Sequence, residues 1–515
     1  PQAAPVKDKS DELLMSPQSE MPKLPPAMPY VPKDNIVDMD LSEWPGYAGI
    51  IAANNGFEPT DNSIFFKKFG FKLRIRKSEE DNWAGLNAGQ FAVAATTADV
   101  LPVYGKQFKV ITPLQIDFSR GADGVVVRSN IKRINDLKGK ILASAQFNES
   151  DFFIRFLGQE ANLPVHVLAS ATEQPDANAI NLLTCKDAFS AGDLFVNDLQ
   201  QPAGKLAGCV TWAPKTTEVA EKSGGKAVVL TTNRNLLIVA DILIVNKGFA
   251  DQNPKMVAGL VEGILEGNRL VSENPDQYLD LLGKVYKWDK AQAKAELAKV
   301  HLSNLPENLA FFSGAIDMAG SFDGIFQSAI LAYGNNLIKD PADSKKFADT
   351  SFLEALKTNP TFAAQKIEIA PIRTSNASSS VEGDPLLTKD IRFLFEPNSS
   401  TLDQKNADNM TNLEGIKKLI QVSPGSTILL RGHVDNAQVE YFRKQGGEAL
   451  VNQQALKAME LSRNRADEVK RLIIEKYKVD GKRIETVGRG WNEPASSSNP
   501  EMNRRVEVQW FTLEN

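Results

Sequence analysis

Two stretches near the C-terminus combine residue types suited to binding chemistry: Arg431-Gly432-His433-Val434-Asp435-Asn436 and Leu461-Ser462-Arg463-Asn464-Arg465-Ala466. A carboxylate and a guanidinium brought together can clasp a ligand that carries both an ammonium and a carboxylate. Arginine suits the carboxylate half because its planar fork bonds it bidentately. The plain alternative is a surface ion pair, the usual fate of an Asp and an Arg.

Elements must position this pair. Residues 427–430, Thr-Ile-Leu-Leu, read as a strand that exposes Asp435 and Asn436 beyond its end. The second stretch opens a helix, with Ala466, Val469, Leu472 and Ile473 on one apolar face. Upstream, residues 391–395 alternate in strand fashion, and Leu413, Ile416, Leu419 and Ile420 mark another helix. Residues 484–487 and 505–510 supply further strands. The order is that of an α+β sandwich, β-α-β-α-β(-β).

The phrases GHVDN, LSRNRA, GRGWNEP and NRRVE, in this order over roughly residues 388–515, resemble the OmpA-like peptidoglycan-binding domain. The resemblance implies that Asp435 and Arg465 grip the diaminopimelate side chain of the stem peptide. Asn436, Leu461 and Arg504 match motif positions beside them. Arg504 and Arg505 alternate on a strand, so at most one faces the ligand. The sequence departs from the family pattern at Val434, where Thr is usual, at Ala458, where Asn is usual, and in an insertion at about 437–457.

The 515 residues call for more than one domain. A net charge of −5 gives no electrostatic reason to expect nucleic acid. No apolar run approaches the roughly eighteen residues of a membrane-spanning helix. A wall-binding domain requires export, so the expected location is the periplasm of a Gram-negative bacterium, wall-associated and anchored through a removed N-terminal segment. In such a compartment the two cysteines, Cys185 and Cys209, are expected to form a disulfide. Residues 1–40 carry eight prolines and read as a spacer with polyproline character. Residues 374–387 read as a low-complexity linker.

Between them, strand and helix patterns alternate as in an α/β parallel sheet. Trp44-Pro45-Gly46-Tyr47, the run 86–93, the run 136–141 and Val210-Thr211-Trp212-Ala213-Pro214 are similar to type II periplasmic substrate-binding proteins of the sulfonate- and thiamine-precursor-binding kind. This implies a two-lobed fold over 41–373. Lobe 1 takes about 41–118 and 240–365, lobe 2 about 119–239, with crossings near 110–116 and 236–243.

Ligands of open α/β sheets sit beyond the carboxyl ends of strands. That rule selects Trp44, Tyr47, Thr96, Thr97, Asp99, Asp117, Ser119, Ser150, Asp151, Trp212 and Asp241 as candidate cleft residues. Carboxylates and aromatics dominate, with Arg120 the one obvious cation nearby, which favours a cationic or zwitterionic amine over an oxyanion. Each residue also has a structural reading: Asp151 as a helix cap, Trp44 and Trp212 as packing, Asp117 and Asp241 as hinge supports. The three histidines, His166, His301 and His433, and the two cysteines suit neither a hydrolytic triad nor an iron site. The expectation is therefore a binder without cofactor or metal, working with an inner-membrane transporter or envelope complex. A wall-anchored scaffold or sensor whose cleft takes no transported solute stands as the alternative.

Overall fold

The computed structural model describes residues 10–79, 81–234, 236–315, 320–369, 386–393, 395, 399–422 and 426–511. The chain divides into two compact units. One holds residues 1–131, 139–156 and 164–370; the other holds 371–515 with the short segments 132–138 and 157–163.

The first unit contains two six-stranded sheets. In lobe 1 the order is Val300–Leu302, Val110–Ser119, Ala240–Asn246, Val93–Thr97, Ile36–Leu41, Lys72–Lys77. The last three strands run parallel, while Ala240–Asn246 is antiparallel to both of its neighbours. Val110–Ser119 is buried at every residue, as expected of a central strand covered on both faces. The 20-residue helix Pro254–Glu273 packs on Ala48–Asn54, its apolar residues recurring at helical spacing. In lobe 2 the order is Ala227–Thr232, Gly124–Arg128, Leu206–Thr211, Ile141–Ser144, Ile180–Thr184, Val165–Val167.

Two segments join the sheets, one at 120–123 and one that includes 233–234 and 236–239. Asn233, wholly buried, staples them. Its Oδ1 accepts from Ser119 Oγ, Gly121 N and Asp123 N, and its Nδ2 donates to Ser119 O and Asp123 Oδ2. The returning strand starts at Ala240, later than the expected 236.

The spacer expected over 1–40 is corrected from residue 10 onward; residues 1–9 lie outside the described residues. Met15 N donates to Thr184 O and Lys186 N to Leu13 O, and the Gln146 amide pairs with both backbone groups of Gln18. Further along, Gln107 Nε2 donates to Pro22 O, Asn87 Nδ2 to Pro25 O and Asn246 Nδ2 to Met28 O. The segment thus crosses from lobe 2 to lobe 1. Prolines forfeit only donors, and side-chain amides on the body satisfy the carbonyls they leave exposed. Ile36–Leu41 then enters the sheet interior.

The expected disulfide is also corrected: Cys185 and Cys209 are separate buried thiols. Cys209 lies on Leu206–Thr211 and Cys185 follows Ile180–Thr184, with Ile141–Ser144 between those strands. Two strand spacings amount to roughly 10 Å, beyond the ~7 Å Cα separation a disulfide can bridge.

In the second unit the sheet order is Leu387–Ile391, Val506–Phe511, Thr427–Gly432, Ile484–Gly488, giving the expected α+β sandwich. Its first strand begins at Leu387, within the segment expected as linker; residues 374–385 lie outside the described residues. Helix Ala407–Val422 and the helical run Val439–Tyr477 complete the layer. The 437–457 insertion is helical, broken at Gly446-Gly447, where Gly447 adopts φ 63°. Arg465 therefore sits within a helix rather than at its start, because residues 449–458 are mostly strong helix formers.

Candidate functional site

In the second unit the close approach of helix to strand sets the geometry. A Cβ on Gly432 would lie 1.9 Å from Ser462 O, so only glycine lets the helix descend onto the strand end. This places Arg465 near Asp435. The Arg465 guanidinium lies over the Phe395 ring at 4.9 Å and its Nε donates to Ser399 O. Burial lowers the Arg465 pKa, Arg504 lowers it further, and Asp435 opposes both. Arg504 Nε stands 3.7 Å from Asp435 Oδ2, and Asn503 Nδ2 donates to Asn436 Oδ1. Leu461 is half-buried on the same helix. Arg505 turns inward beside Glu507 and Asp390, whereas Arg504 is half-exposed.

Below this surface Arg431 pairs with Glu507 at 3.0 Å and Glu493 at 2.6 Å. His433 is buried among these charges. Burial, then Arg505 and Arg431, push its pKa down to about 3, so the ring is neutral.

In the first unit a cavity of about 470 Å³ opens where strands of both sheets end. Ser42, Glu79 and Thr97 follow or end strands of lobe 1; Gln146, Asp187 and Trp212 follow strands of lobe 2. Leu14, Met15, Gln18 and Pro22 of the N-terminal segment complete the wall. Of the expected residues, Tyr47, Thr96, Thr97, Trp212 and Asp241 line it. Tyr47 OH donates to Asp241 Oδ1 at 2.8 Å. Trp44 reaches a small recess that shares Tyr47, Thr97, Trp212 and Asp241.

The remaining candidates sit behind the wall. Asp117 accepts from Trp44 Nε1 at 3.2 Å, and a Cβ on Gly46 would collide with that carboxylate at 2.2 Å. Ser119 belongs to the Asn233 staple. Asp151 accepts from Phe147 N and from Arg155 Nε, a buried ion pair. Ser150 is buried and Asp99 fully so, with the Thr97 hydroxyl beside the Asp99 carboxyl. Strand-end reasoning passed over Glu79, Asp81, Glu149 and Asp187. The acidic run at 79–81 was the legible signal; Glu149 and Asp187 resemble ordinary helix-start residues, and Asp187 does cap Ala188–Leu199.

Burial raises the cleft carboxyls. Glu79, Asp99 and Asp123 are pushed up to about 7, and Asp117, Glu149 and Asp241 well above the usual range, neighbouring carboxylates adding to the effect at all but Asp123. Among the described residues no group of His, Cys, Asp and Glu could hold a metal ion.

Two α/β lobes, two joining segments and a cleft at the strand ends make up a two-lobed α/β fold, followed in the chain by an α+β sandwich. That sandwich is an OmpA-family domain: residues 394–507 match the OmpA family model. Outer membrane protein Omp38 of Acinetobacter baumannii is 27% identical over 149 residues, 28% of this chain and 37% of that protein; a second strain's Omp38 is 26% identical over the same length. The chain thus spans 37% of the length of these curated relatives. The aliphatic sulphonate binding protein SsuA of Escherichia coli matches with a TM-score of 0.46 and 16% identity, over 62% of this chain and 99% of that one. The nitrate-binding protein NrtA of Synechocystis PCC 6803 matches with a TM-score of 0.46 and 13% identity, over 64% and 90%. No described helix is long and apolar enough to cross a membrane.

Proposed function

We propose that this is a wall-moored, non-enzymatic solute receptor of the Gram-negative periplasm. The OmpA domain clasps diaminopimelate-type peptidoglycan, with Asp435 taking the ammonium and Arg465 the carboxylate of the cross-linking residue. The lobes close on a small amine-bearing solute and present it to an inner-membrane transporter or envelope complex. The observation that carries this reading is the convergence of Asp435, Arg465 and Arg504 on one half-exposed surface. Mooring raises the receptor's local concentration without new contacts, and the solute selects the closed state by its differential affinity.

Retention on purified sacculi tests the mooring. Asp435→Ala and Arg465→Ala should each weaken retention at least about tenfold, as expected for truncating one partner of a charge pair. Retention equal to wild type in both variants would overturn the assignment.

A further inference from the structure

Resting on the amine reading of the cleft, we propose that its ligand is an organic oligocation: at least two ammonium groups and no acid group. The carboxylates of the cavity come from both lobes. Glu79, Asp81 and Asp241 belong to lobe 1, and Glu149 and Asp187 to lobe 2. Among the described residues the cavity lining includes one cation, the exposed Lys186. Closure therefore brings carboxyl groups face to face across the cleft, and ionising both sides together is costly in a site partly withdrawn from water. One ammonium can answer one side. A chain with separated ammonium groups answers both and turns the repulsion into a bridge between lobes. A ligand carboxylate or sulfonate would instead meet this acidic wall.

A second observation points to a ligand at the same place. Thr97 and Trp212, only 4% and 7% exposed, both line the cavity, and the buried Trp212 Nε1 has no hydrogen-bond partner among the described residues. The Trp212 and Tyr47 rings offer faces to a cation and its alkyl spacer.

Isothermal titration of the full chain with spermidine, 1,4-diaminobutane, butylamine and taurine is the test. Saturable binding of spermidine or the diamine is expected, with butylamine at least about tenfold weaker and taurine silent. Glu149→Gln and Glu79→Gln, each removing one carboxyl that can ionise against an ammonium with little change of shape, should each weaken the oligoamine severalfold. Butylamine binding as tightly as spermidine, or both variants binding like wild type, would overturn the oligocation while leaving the amine reading intact. Taurine binding with no amine bound would overturn both, and so would silence with every probe, the outcome expected of a scaffold.

Discussion

The two candidate sites handle charge in opposite ways. At the OmpA surface and just beneath it, positive and negative groups interlock: Arg431 with Glu507 and Glu493, Arg505 with Asp390 and Glu507, Arg504 with Asp435. In the interlobe cleft, carboxyls gather against aromatic rings with little opposing charge, and burial drives their pKa values upward. A rigid, internally paired platform suits a polymer that stays in place. An under-compensated cleft suits a solute that must pull two lobes together and later leave.

The strongest way to break this contrast is to unpair the platform. Arg431→Ala strands the buried Glu507 carboxylate and should cost on the order of 3–5 kcal/mol of OmpA-domain stability. Arg504→Ala, at the exposed rim, should cost less than about 1 kcal/mol while still weakening wall binding. Thermal unfolding of the variants checks both, and equal losses would erase the distinction between network and rim. In the lobes, Asn233→Ala removes five hydrogen bonds that hold the joining segments and should cost about 3 kcal/mol or more. Urea unfolding of the first unit measures it.

A pH series sharpens the comparison, because the regions should respond with opposite sign. Burial sets the folded pKa of Asp99 and Asp123 at about 7, above the ordinary 3.8. The folded lobes hold protons that the unfolded chain has released, so their stability is greatest at low pH and falls as pH rises from about 4 through 7. His433 is held at about 3, below the ordinary 6.5. Its folded state excludes a proton that the unfolded chain takes up, so OmpA-domain stability is full above pH 6.5 and falls as pH drops toward 3. Calorimetric transitions followed from pH 5 to 8 should move in opposite directions, by a few kcal/mol at most. Parallel movement would refute the contrast.

Much of this organisation was legible in residue patterns. The OmpA sandwich showed because its charged motifs are fixed in order and its strands alternate. Tyr47, Thr97, Trp212 and Asp241 followed from the strand-end rule. What escaped notice depended on long-range partners. Prolines suggest a spacer over residues 1–40, but from residue 10 onward Gln107, Gln146, Asn87 and Asn246, distant in sequence, supply hydrogen bonds that lay the segment down. Asn233 gave no periodic signal, since its role lies in joining two crossings about 110 residues apart in the chain. The cysteine pair misled because a third strand intervenes between theirs.

The most direct test of the central claim is to titrate the full chain with two muropeptides that differ only at the third stem residue, meso-diaminopimelate or lysine. Lysine keeps the ammonium and lacks the neighbouring carboxylate. A clasp that needs both Asp435 and Arg465 should bind the diaminopimelate form at least about tenfold more tightly, and Arg465→Ala should abolish the difference. Equal affinity for the two muropeptides in the wild-type protein would contradict it.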